Sequence, residues 1–106
     1  MSWQDDLSKQ SESLAKMLEH GESLAKTLEQ DSEFMTTETA LPVWVKNLMA
    51  LQLDSVFNHP AGARWYGSQA RKAGASDEQV AEAIELLRMY AGRPAMATAA
   101  AAFEEQ

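Results

Sequence analysis

Hydrophobic positions recur with helical spacing through most of the chain and never alternate with period two long enough to build a strand, so the pattern predicts an all-α protein. Leu7, Leu14, Gly21 and Leu28 fall seven apart, and Met17, Leu18, Leu24 and Ala25 fill positions between them. This stripe makes one side of a long amphipathic N-terminal helix apolar, and such a side requires a partner. A near-repeat, ESLAKMLEHG from Glu12 and ESLAKTLEQD from Glu22, runs through it. Glu12 with Lys16 and Glu22 with Lys26 are i,i+4 pairs of the favourable orientation, and His20 is expected to be exposed and inert. Gly21, Gln10 and Ser11 interrupt the stripe, which fits a docking or oligomerising arm better than a long autonomous coiled coil.

From Asp31 to Ala40 the period is lost and Thr36, Thr37 and Thr39 enter. The boundary between an acidic helical arm, residues 1–38, and a helical domain, residues 39–106, is placed there. Pro42 suits the first turn of a helix over Leu41 to Phe57, whose apolar face comprises Leu41, Val45, Leu48, Met49, Leu51, Gln52 and Val56. Trp44 and Met49 are expected in the core. Asn58 and Pro60 read as the cap and first-turn residue of a central helix, Ala61 to Ala73, stopped by Gly74. Ser76 with Gln79 predicts a capping box opening a helix that runs to about Ala91 and ends at Gly92. Its inward positions are Val80, Ala83, Ile84, Leu87 and Tyr90 or Ala91, while Glu78, Glu82, Glu85 and Arg88 face water. Arg93 and Pro94 then start an alanine-rich last helix, Ala95 to about Glu105, whose small side chains allow close approach to another backbone.

A chain of 106 residues with 45% apolar composition suits one domain plus an arm. The net charge of −7 is unevenly placed: Met1 to Glu38 carries nine acidic and three basic residues, and Thr39 to Gln106 seven and six. No basic stripe is present for a phosphate backbone, so nucleic acid is excluded as a partner, and membrane surfaces are disfavoured likewise. No apolar run approaches the roughly 20 residues of a spanning helix. Met1 to Gln10 has neither the basic start nor the apolar core of a signal peptide, so a cytoplasmic location is expected. The absence of cysteine excludes disulfides, thiolate metal sites and thiol-based mechanisms. His59 with Asp54 and more distant carboxylates forms no metal-ligand pattern, so no metal is expected.

The stretch DSVFNHPAGARWYGSQARKAGAS, Asp54 to Ser76, concentrates the groups able to do chemistry. It reads as a loop feeding a helix that begins beside His59, where unpaired N–H groups and a partial positive charge favour developing negative charge. Asp54, Arg64 and Tyr66 lie close by in sequence. On local sequence alone the same stretch is a capped, half-buried helix, and the spacing by itself establishes no catalysis. Trp65 and Tyr66 point about 100° apart on a helix, so one can face the core and the other an interface or pocket.

Three segments, KNLMALQLDSVFNH from Lys46, YGSQARKAGASDEQVAEAI from Tyr66 and YAGRPAMATA from Tyr90, resemble the carboxymuconolactone decarboxylase family, the all-helical group that includes the AhpD-type alkylhydroperoxidases. The resemblance runs from Lys46 to Phe103 and implies an AhpD-like helical domain behind the arm. It puts the Glu, the two Cys and the His of the thiol-dependent members on Asn47, His59, Gly62 and Tyr66, so all four are replaced here and thiol peroxidase chemistry is rejected. Two functions remain. One is an oligomeric binding or assembly module, since the resemblance implies a homo-oligomer, a trimer or hexamer with pockets between subunits. The other, implied by the decarboxylase branch, is a cofactor-free decarboxylase or isomerase acting on a carboxylated lactone or similar small anion. His59 and Tyr66 are then the catalytic candidates. Arg93 or Arg64 would hold the substrate carboxylate, Asp54 would orient His59, and Asn58 and Asn47 are further substrate-binding candidates.

Overall fold

The computed structural model describes residues 3–104, with side chains from residue 12 onward; the expectations for Leu7, Gln10, Ser11 and Glu105 lie outside them. Among the described residues there are five α-helices and a closing 3₁₀ turn, with no strand. The chain divides into two compact units, the first ending at Thr37 and the second beginning at Glu38.

The first unit holds α1 (Trp3–His20) and α2 (Glu22–Thr36), where the stripe of apolar positions predicted one long helix. Gly21 breaks it, with φ −129° and ψ 76°, and serves as the N-cap of α2. Glycine weakens a helix interior by roughly 1 kcal/mol relative to alanine, and the sequence has no other breaker nearby. Helix α2 buries none of its residues, so Leu24, Leu28 and Phe34 stay exposed. Of the i,i+4 pairs, Glu22 and Lys26 approach to 3.9 Å with both side chains in solvent.

The second unit is built from α3 (Val43–Val56), α4 (Pro60–Lys72), α5 (Asp77–Ala99) and the 3₁₀ turn Ala100–Phe103. Pro42 is the N-cap of α3 rather than a first-turn residue, and the Val43 N–H donates to Glu38 Oε2 at 3.2 Å. Helix α3 turns Lys46, Asn47, Leu48, Leu51 and Ser55 inward. Trp44 packs against the core as expected, but Met49 and Val56 point outward, and Leu41, which precedes α3, is exposed as well, contrary to the sequence pattern. Helix α3 is apolar on nearly every side, so periodicity cannot choose which face is buried; packing against α4 and α5 chooses it.

The core between these helices is made of Leu48, Leu51, Val80 and Leu87 together with many alanines, among them Ala63, Ala70 and Ala99. Helix α4 ends in a Schellman motif, with Gly74 at φ 113°, and the capping box of Ser76 and Gln79 opens α5 as the sequence predicted. At Gly92 φ is 86° and ψ −177°, which kinks α5 where the sequence predicted one helix to end and the next, with Pro94 in its first turn, to begin. Tyr90 and Ala91, expected to face inward, are both exposed, because the core against α5 ends at Leu87 and resumes only at Ala95, beyond the kink. The alanine-rich end tightens into the 3₁₀ turn and stops at Phe103. That turn is strapped to α4 by Arg71, whose Nη1 donates to Ala102 O at 2.6 Å and whose guanidinium lies over the Phe103 ring at 4.9 Å.

Candidate functional site

The turn between α3 and α4 builds the one cluster that the sequence singled out. Asn58 stands at φ 58°, its N–H donates to Ser55 O at 3.1 Å, and the His59 N–H donates to Asp54 O at 2.8 Å. This is a Schellman ending of α3 with Asn58 in the left-handed position, which asparagine tolerates better than most residues. Asn58 is therefore not the cap of the next helix. His59 takes that position, Pro60 follows in the first turn, and the His59 side chain makes no capping hydrogen bond.

The Schellman turn folds His59 back over Asp54. His59 Nδ1 and Asp54 Oδ2 lie 3.5 Å apart, with the imidazole half exposed and the carboxylate about a quarter exposed. Both rest on Gly62 in the first turn of α4: a Cβ there would lie 1.9 Å from Asp54 Oδ2 and 2.7 Å from His59 Nδ1. The carboxylate thus already stands at the positive end of α4, where a bound anion would gain most. With Nδ1 turned toward Asp54, Nε2 is the nitrogen left for a proton transfer.

The other candidates are distributed through the fold. Tyr66 lies seven residues, close to two turns, beyond His59 on α4 and packs against the core. Arg64 is 4% exposed, and its Nη1 meets Glu104 Oε2 at 2.5 Å, so the structure places it as a tie between α4 and the C-terminal end. Asn47 is buried, with Nδ2 donating to Val43 O at 2.9 Å. Asn58 Oδ1 accepts from Thr98 Oγ1 at 2.9 Å. Arg93 is exposed just after the bend at Gly92. Trp65 is exposed and Tyr66 partly buried, so the two adjacent aromatics do face different surroundings. Among the described residues, no three His, Asp or Glu side chains converge as a metal site. No helix described is long and apolar enough to cross a membrane.

Sequence reasoning had no hold on Glu104 and Thr98, each forty residues from its partner. Gly62 carried a signal only through the resemblance, as the position of a lost cysteine.

A second surface is apolar. A hollow of about 480 Å³ between α3 and α5 is lined by Gln52, Val56, Leu86, Leu87, Tyr90 and Ala91. The Gln52 amide is spent inside the fold, donating to Ala83 O at 2.9 Å.

These features define an all-helical domain of small-residue packing with no thiol and with a His–Asp pair at the turn between α3 and α4. The chain belongs to the carboxymuconolactone decarboxylase family, whose profile matches residues 23–105. The match extends the resemblance upstream from Lys46 into α2. No curated protein and no solved structure matches the chain.

Proposed function

We propose that this member of the family is a self-associating helical module for binding or assembly, without thiol peroxidase chemistry. The observation that carries the reading is the amount of large apolar surface that the second unit leaves uncovered, including Leu53, Phe57, Met89 and Tyr90. A folded domain this small gains most by covering such a surface with another molecule. The fate of the polar candidates supports the same reading. Asp54 neutralises the helix end where an anionic substrate would bind, and Arg64 is engaged by Glu104. A cytoplasmic location belongs to this proposal. Light scattering on the full chain tests it: a mass well above the 11.7 kDa of one chain is expected, and a monomer at every concentration refutes it.

A second reading rests on the Asp54–His59 pair, whose half-exposed imidazole has the composition of a general acid–base group. It makes the protein a cofactor-free decarboxylase or isomerase for a small carboxylated lactone, with Tyr66 and Arg93 assisting. A thermal-shift screen with lactones, aromatic acids and dicarboxylates separates the two. A ligand that raises the midpoint of wild type but not of His59→Ala favours the enzyme, because ligands stabilise the state that binds them. No shift with any of these ligands removes that support.

A further inference from the structure

We infer that Thr98, on the part of α5 beyond the kink, is a positioning residue for the Asp54–His59 pair: its hydroxyl pins Asn58 in the left-handed conformation that folds the imidazole over the carboxylate. The inference rests on the acid–base reading of that pair and names what holds the pair in place.

The pair depends on the backbone conformation of the residue before His59. Asp54 lies on α3 and His59 just past its end. A helix continued through Asn58 would turn the two side chains about 140° apart, on different sides. With Asn58 at φ 58°, the His59 N–H instead reaches Asp54 O at 2.8 Å, and the imidazole returns over the carboxylate to an Nδ1–Oδ2 distance of 3.5 Å. Asparagine enters the left-handed region more readily than most residues, but still at a cost that glycine does not bear. In a turn balanced in this way, one further bond shifts the population of the folded-back form.

Thr98 supplies that bond. The backbone hydrogen bonds of Asn58 and His59 stay within α3 and α4, whereas the Asn58 side chain is held from α5, its Oδ1 accepting from Thr98 Oγ1 at 2.9 Å. A threonine hydroxyl has one hydrogen to give. Its alternative acceptor is Pro94 O, one turn back in its own helix, at 3.3 Å, longer than an ordinary O–H···O bond. The hydroxyl has thus turned from the carbonyl that a helical threonine commonly uses to the side chain of the turn. When the bond to Asn58 opens, Pro94 O remains as its acceptor, so little is lost on the α5 side and the effect falls on the turn. The bond is open to solvent and its contribution is modest, which suits a hold on a local turn better than a support of the whole fold.

Nitrogen NMR of the full chain tests this with the imidazole in its neutral form, in a His20→Gln background that leaves His59 as the one histidine. A ring whose Nδ1 faces a carboxylate keeps its proton on Nδ1, and the two ring-nitrogen shifts report that tautomer. Asp54→Ala defines the unseated ring, and circular dichroism verifies that each variant folds. Thr98→Val removes the hydroxyl and keeps the branched shape; it is expected to move the shifts at least half way from wild type to Asp54→Ala. Thr98→Ser keeps the hydroxyl and is expected to stay near wild type. Asn58→Gly separates positioning from packing, because glycine adopts the left-handed turn unaided, and Thr98→Val added to it is expected to change nothing further. Shifts in Thr98→Val identical to wild type overturn the inference, as does Thr98→Ser behaving like Thr98→Val, or Thr98→Val acting as strongly in the Asn58→Gly chain. A wild-type ring indistinguishable from that of Asp54→Ala overturns the pairing, and the acid–base reading with it. No substrate enters the measurement, so a chain that turns nothing over while its shifts respond as expected loses the enzyme reading alone.

Discussion

Gly67 of α4 and Ala102 of the 3₁₀ turn approach so closely that one methyl group cannot enter between them. A Cβ on Gly67 would lie 2.7 Å from the Ala102 Cβ, 3.2 Å from its Cα and 3.3 Å from its carbonyl oxygen. Two of those atoms are backbone, so the whole C-terminal strap would have to lift. Gly67→Ala is therefore expected to lower stability by about 1–3 kcal/mol, although alanine is the better helix former by roughly 1 kcal/mol. Urea denaturation measures it, and a variant as stable as wild type would mean that the strap contributes nothing.

Gly62→Ala offers the contrast. The atoms its Cβ would strike belong to the ends of the Asp54 and His59 side chains, both partly in solvent and free to swing away. Helix propensity and lost contacts then nearly offset, and the stability change is expected to stay within about 1 kcal/mol. A crystal structure of the variant should find Nδ1 and Oδ2 parted well beyond 3.5 Å. An intact pair there would show that Gly62 does not seat it.

The Arg64–Glu104 tie joins a buried cation to a carboxylate that is more than half in solvent. Removing the carboxylate by Glu104→Ala leaves a positive charge in the fold and is expected to cost about 1–2 kcal/mol, less than for a fully buried pair. Adding Arg64→Met to that variant should recover part of the loss, because the charge and its desolvation disappear together. Chemical denaturation of both variants and the double decides it; strictly additive losses would count against coupling.

The capping box is the most local of the devices. Ser76→Ala deletes the acceptor of the Gln79 N–H, now at 3.1 Å, and is expected to cost about 0.5–2 kcal/mol. Thermal unfolding monitored by circular dichroism reads it, with Ser68→Ala, a residue outside any cap, as the comparison.

What could be read from the sequence was what neighbours in the chain determine. Ser76 and Gln79 form their box, Gly74 and Gly92 end or bend helices with positive φ, and no strand occurs among the described residues. Where two helix signals overlapped, the sequence misled. Asn58 suits both a cap and a left-handed C-terminal position, and the three residues between α3 and α4 leave room only for the second. Met49 and Val56 failed for a different reason: α3 has apolar residues on both faces, and only its packing partners say which is inside. In the candidate site, Asp54 and His59 are five residues apart and the turn brings them together, whereas Arg64 is held by a residue forty positions away, beyond the reach of any local pattern.

The break at Gly21 also settles how the two copies of the ten-residue near-repeat relate. Ten residues wind an α-helix about 80° short of a whole number of turns, so an unbroken rod would aim equivalent side chains of the two copies in different directions. Because α1 stops at His20 and α2 starts afresh at Glu22, the winding is not carried across. Each copy answers to its own surroundings, and the number of residues between them no longer dictates which way either one looks.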